Sequence, residues 1–212
     1  VLMPGHAESG RAHISKGLLN EARALAARNV AVFKDMVSEA TPLIGIEPSA
    51  ILGFRDEYPR LLRGEAAEQA RQLAPHTLTF EEFILREAQA GRITSDAFTG
   101  EKRRVLLHGH CHQKALSGVE ASAWVLNLPE RYAVSVIPSG CCGMAGSFGY
   151  EKEHYEVSMK IGELVLFPAL RQAEEETIIA APGTSCRHQI LDGTGRRALH
   201  PAEVLWEALS NR

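Results

Sequence analysis

Two adjacent cysteines followed by glycine, Cys141-Cys142-Gly143, lie between an apolar, β-branched run and a long amphipathic stretch. The other two cysteines, Cys111 and Cys186, each follow a different short apolar run. Thiolates chelate soft and borderline metals, and four of them suit an iron–sulfur cluster or zinc. Burial as a small hydrophobe accounts for one such residue, but poorly for Cys-Cys-Gly in a glycine-rich turn. Two disulfides would use the same four residues, yet vicinal cysteines do not readily pair outward in a small framework. The first residues, VLMPGHAESG, have neither a basic region nor a long apolar region of the export type. The expected setting is therefore the reducing cytoplasm, where grouped thiols serve metal or redox chemistry.

Convergence of these thiols requires elements that bring distant residues together. Helical spacing of Ile14, Leu18, Ala22, Leu25, Ala26, Phe33 and Val37 predicts a helix over 14–37, and Leu43–Ile46 reads as a short buried strand. Helices are expected over 51–62, 65–73 and 80–90, the last opened by a capping box (Thr79, Glu82) and closed by Gly91. Strands follow at 104–108, 132–137 and 177–181, alternating with helices over 113–126, 151–173 and 201–209. This alternation implies an α/β fold with mostly parallel sheets flanked by helices. At an offset of 136 positions Gly10 meets Gly146, Thr41 meets Thr177, Ser49 meets Ser185 and Ala50 meets Cys186. Two pseudo-repeated halves are expected, 1–100 thiol-free and degenerate, with Ala50 in the place of a ligand, and 101–212 carrying the site.

In parallel α/β sheets ligands bind beyond the carboxyl ends of the strands. Cys111, Cys141, Cys142 and Cys186 all fall just past three expected strand ends, so one pocket can collect them. Gly140, Gly143, Gly146 and Gly149 allow the backbone to curl around an inorganic group and aim its amides at sulfur. His108, His110 and His112 alternate around Cys111 as metal ligands, supporting donors, proton relays or plain surface residues. Lys114 and Arg187 stand beside cysteines, either compensating thiolate charge or simply solvated. The glycine spacing matches no phosphate-binding loop, and no third residue orients a Cys–His nucleophile.

Composition narrows the partners. The 212 residues are 45% hydrophobic and 23% charged with net charge −3, which gives no electrostatic case for nucleic acid. The longest apolar runs are too short for a membrane span.

Three blocks jointly carry a family resemblance: Gly109-His110-Cys111-His112-Gln113-Lys114, the run from Gly140 to Gly149 (GCCGMAGSFG), and Gly183-Thr184-Ser185-Cys186-Arg187-His188-Gln189. They resemble the cysteine-rich CCG domain found in heterodisulfide reductase and in the glycolate oxidase iron–sulfur subunit. The likeness is strongest to the C-terminal part of fused FAD-linked oxidase/iron–sulfur proteins, the D-2-hydroxyglutarate dehydrogenase-like enzymes among them. The resemblance covers essentially the whole chain. It implies an electron-transfer module of a 2-hydroxy-acid oxidoreductase, in which Cys111, Cys141, Cys142 and Cys186, with Gly143, hold a [4Fe–4S] cluster or zinc. FAD would belong to a flavoprotein domain or subunit, and a ferredoxin-type cluster domain would be a second partner. The location implied is cytoplasmic, or peripheral to the inner membrane through a complex. The family often has a second cysteine three residues after the last one. Gln189 stands there instead, and His188 is a candidate substitute ligand. A structural zinc domain and a thiol or heterodisulfide redox catalyst are the alternative functions.

Overall fold

A computed structural model describes residues 1–210 and divides into two compact units, the first spanning Val1–Thr79 and the second beginning at Phe80. The boundary thus falls about 20 residues before the one expected near residue 100. The reason is the helix at Phe80–Gln89, whose apolar face (Phe80, Ile84, Leu85, Ala88) packs on the second unit's core.

In the first unit, α1 (Arg11–Ser15) and α2 (Leu19–Phe33) replace the single helix expected from Ile14. Gly17, at φ +74°, turns the chain between them. Strand β1 (Leu43–Gly45) pairs in parallel with β2 (Thr77–Thr79), a three-residue strand too short to leave a periodic signal. Helices α3 (Pro48–Ile51), α4 (Glu57–Leu61) and α5 (Gly64–Leu73) complete this unit. Its core gathers Val30, Phe33, Leu52, Phe54, Tyr58 and Leu73. Asn29 donates to the Tyr58 hydroxyl at 2.9 Å, and that hydroxyl donates to the Ser9 carbonyl at 2.9 Å.

The second unit starts with α6 (Phe80–Gln89) and is built on a three-stranded parallel sheet. Its order is β4 (Tyr132–Val136), β3 (Arg103–Leu107), β5 (Ile178–Ala180). Leu107 lies opposite both Val136 and Ala180, so the three strands end level with one another. Three loops must therefore leave from the same edge. Helices α7 (Cys111–Leu116) and α8 (Glu120–Leu126) are separated by Gly118 at φ +74°, where the sequence pattern suggests one helix. Likewise α9 (Tyr155–Leu164) and α10 (Leu166–Gln172) divide at Val165. Pro168 lacks an N–H for Leu164 to accept, and its ring would crowd that carbonyl, so a straight helix cannot pass. Helix α11 (Thr184–Thr194) goes beyond the sequence expectation, its apolar residues being too sparse for a helical pattern. Helix α12 (Pro201–Ala208) matches its prediction and opens with a capping box between His200 and Glu203.

Candidate metal centre

Each loop at the sheet's carboxyl edge delivers thiols by a local device. Beyond β3, His108 is held by its backbone N–H to the Ala180 carbonyl (2.8 Å), and Cys111 opens α7. Beyond β4, the turn at 139–146 carries Cys141 and Cys142. Beyond β5, Gly183 leads directly into α11, whose first turn holds Cys186. That turn's free amides and the helix dipole favour the thiolate.

The four sulfurs form one row. Neighbouring thiols interact in turn, Cys111 with Cys141, Cys141 with Cys142, and Cys142 with Cys186. Cys111 is exposed, Cys141 half-buried, and Cys142 and Cys186 are buried at 3% and 1% exposure. From Cys111 to Cys186 the exposure falls from solvent to core. At its inner end His108 joins: one ring nitrogen and the sulfurs of Cys142 and Cys186 all lie within 4.8 Å of one another.

Ionisation alternates along the row. Hydrogen bonds from Cys111 and Cys142 hold Cys141 well below the usual thiol range, with backbone amides of Gly143 and Ala145 adding to the effect. The Gly143 N–H lies 3.3 Å from Cys141 Sγ. These amides form a small nest for negative charge. Cys186 is likewise lowered, first by the Cys142 hydrogen bond and then by His108. Cys111 and Cys142 are pushed up, chiefly because each keeps its proton to donate to a neighbour and secondarily by burial. Sulfurs this close ionise together only beside a cation, and that is the donor set a metal or cluster requires. The residues fit such a group.

The surrounding groups explain the local sequence. Gly143 has φ +108°, and a Cβ there would lie 2.1 Å from the Ser158 carbonyl oxygen. A Cβ on Gly183 would lie 2.3 Å from the His110 ring and 3.2 Å from Cys186 Sγ. Gln189 is buried, and its amide faces the carbonyls of Cys142 (3.0 Å) and Ser158 (3.0 Å) and the Ser158 hydroxyl (2.9 Å). Where the resemblance would put another thiol, this chain has a side chain that ties the double-cysteine turn to α9. No simple pattern announces that role, apart from the replacement itself.

Several expected side chains act differently. His188 is exposed and its Nδ1 pairs with the Tyr150 hydroxyl at 2.7 Å, so it is not brought into the sulfur row. Lys114 and Arg187 bond to backbone carbonyls. Lys114 donates to the carbonyls of Ser139 (2.5 Å) and Gly140 (2.6 Å), and Arg187 to those of Ala181 (2.9 Å) and Pro182 (2.8 Å). Both cations clamp the strand-end loops, because uncapped carbonyls there are the nearest acceptors. His108 alone of the three alternating histidines joins the metal-ligating group among the described residues.

Comparisons with known proteins cover nearly the whole chain. A D-2-hydroxyglutarate dehydrogenase of Escherichia coli is 30% identical over 212 residues, covering 99% of this chain and 19% of that protein. One from Pantoea ananatis is 31% identical with the same coverage. One subunit of the anaerobic glycerol-3-phosphate dehydrogenase of Escherichia coli is 27% identical over 200 residues, covering 93% of this chain and 48% of that subunit. The chain is a relative of part of these dehydrogenases. It spans about a fifth of the D-2-hydroxyglutarate dehydrogenases it matches. The resemblance drawn from three motif blocks thus extends over nearly the whole chain. No family model matches, and no solved structure matches. No helix among the described residues is long and apolar enough to cross a membrane.

Proposed function

We propose that this chain is the cluster-binding, electron-transfer segment of an FAD-linked 2-hydroxy-acid dehydrogenase of the glycolate oxidase type. The observation that carries the reading is the row of four thiols, gathered from three loops onto one sheet edge. The similarity to dehydrogenase segments supports it. Cys111, Cys141, Cys142 and Cys186 would hold the cluster, with the Gly143 amide donating to a ligand sulfur. A bound [4Fe–4S] cluster supplies a one-electron site between flavin and acceptor. The chain's own part is to exclude water at the buried end, present Cys111 toward solvent, and fix the turn through Lys114 and Gln189. Substrate oxidation belongs to a flavoprotein domain or subunit, with a ferredoxin-type domain as a further carrier, in the cytoplasm. The thiol-free first unit is read as the degenerate partner of the second.

Structural zinc is a second reading, favoured by one observation. A single tetrahedral ion with Zn–S near 2.3 Å places its donors less than about 4 Å apart. The 4.8 Å grouping of His108, Cys142 and Cys186 is nearly that compact. Ligands to separate irons of a cluster stand further apart. Anaerobic purification separates the two readings. A brown protein with iron and acid-labile sulfide supports the cluster, and a colourless protein with stoichiometric zinc selects the second. A metal-free protein that takes up neither refutes both.

A further inference from the structure

We infer that His108 is a metal ligand through Nε2 beside Cys142 and Cys186, making the inner end of the centre a mixed thiolate–imidazole one. This rests on the reading of the thiol row as a metal centre, but on different atoms. His108 is 1% exposed, and its Nε2 is buried with no hydrogen-bond partner. An unpaired imidazole nitrogen in a core is destabilising, so its retention calls for a partner. The other nitrogen, Nδ1, lies 2.7 Å from the Ser139 hydroxyl. In the tautomer that carries its proton on Nδ1 and donates it to Ser139, the Nε2 lone pair is free for coordination. Metal-bound imidazoles are ordinarily oriented by such a second hydrogen bond. One ring nitrogen of His108 also lies where a ligand should, within 4.8 Å of the two most buried thiols.

Position explains why this histidine differs from its neighbours. His108 directly follows β3, and its backbone N–H bonds to the Ala180 carbonyl on β5. His110 also has a buried, unpartnered Nδ1, but its ring packs on Gly183 and falls outside the ligating group. His108 therefore anchors the inner end, where solvent cannot supply a competing ligand. Ser139 is a positioning residue, acting through His108. It stands beside the double-cysteine turn, so orientation of the imidazole is coupled to placement of Cys141 and Cys142.

The test uses cadmium-113 as the probe metal on reduced, anaerobic protein labelled with nitrogen-15 histidine. The expected result is a cadmium–nitrogen scalar coupling in the wild type. In His108→Cys that coupling disappears, while cadmium still binds and its resonance moves to the all-thiolate position. Ser139→Ala should lower cadmium affinity about 10–100-fold in the wild-type background and change nothing in the His108→Cys background. Cadmium held by sulfur with no nitrogen coupling would overturn the inference and leave the thiol centre standing. A coupling that survives in His108→Cys would assign the nitrogen to another histidine and overturn it equally. No cadmium binding by the wild type would remove both the inference and the metal reading beneath it. The wild-type measurement needs no variant to fold.

Discussion

At the scale of single residues, the centre depends on side chains whose neighbours leave little choice of identity. Cys142 is 3% exposed, between two other thiols, and its carbonyl accepts from Gln189. Cys142→Ser should abolish stoichiometric metal binding and lower the melting temperature of metal-loaded protein, because closure of the site contributes to folding. Elemental analysis and thermal melts on the same samples check this. Unchanged metal content would remove Cys142 from the ligand set. Gly143→Ala meets two obstacles at once: the backbone at φ +108° and the Ser158 carbonyl 2.1 Å from the new Cβ. Its cost should reach about 3 kcal/mol in urea unfolding, with or without metal. The four thiols stand out in the sequence by residue type and spacing. The orientation of His188 does not, because sequence adjacency to Cys186 says nothing about which way a helical side chain points. On α11 it faces Tyr150, and the candidate that does meet the sulfurs lies three residues before Cys111.

At the scale of elements, β-branched and apolar runs marked β1, β3, β4, β5 and α12, since a buried strand must be apolar and a capped helix advertises its ends. Helix breaks were less visible. Gly17 and Gly118 turn the chain at positive φ, and Pro168 divides α9 from α10, although apolar periodicity continues across each. Helix α11 was hidden for the opposite reason, because Cys186, Gln189 and Ile190 are buried there while the rest of its pattern is polar. Tyr58 yields a prediction at this scale. Burial pushes its phenol up to about 12 from the ordinary 10. A raised pKa in the folded state means its stabilisation is intact below pH 10 and is lost as pH rises toward 12. A rise of that size corresponds to about 2–3 kcal/mol. Unfolding measured between about pH 9 and about pH 12 should therefore show an alkaline loss that Tyr58→Phe removes. A loss of equal size in the phenylalanine variant would assign it elsewhere.

At the scale of the whole molecule, the two units differ in where the thiols lie. All four cysteines lie in the second, whereas the first is held by its own apolar core and the Asn29–Tyr58–Ser9 hydrogen bonds. Removing the metal with a chelator should raise amide hydrogen exchange in the strand-end loops around residues 108–112, 139–146 and 182–189. Exchange within 1–79 should stay unchanged. Equal deprotection of both units would mean that metal binding supports the entire chain instead of one sheet edge. The weak repeat at offset 136 has a counterpart in layout, since β1 leads into a helix from Pro48 and β5 into one from Thr184. Ala50 falls 136 positions before Cys186, where the proposed repeat would carry a thiol.

X-ray absorption at the edge of whatever metal accompanies the anaerobically purified protein tests most directly whether the sulfur row is a metal centre. The predicted spectrum has a dominant shell of thiolate sulfur at about 2.3 Å. A bound metal surrounded by oxygen and nitrogen only, or a protein that retains no metal at all, would contradict the account.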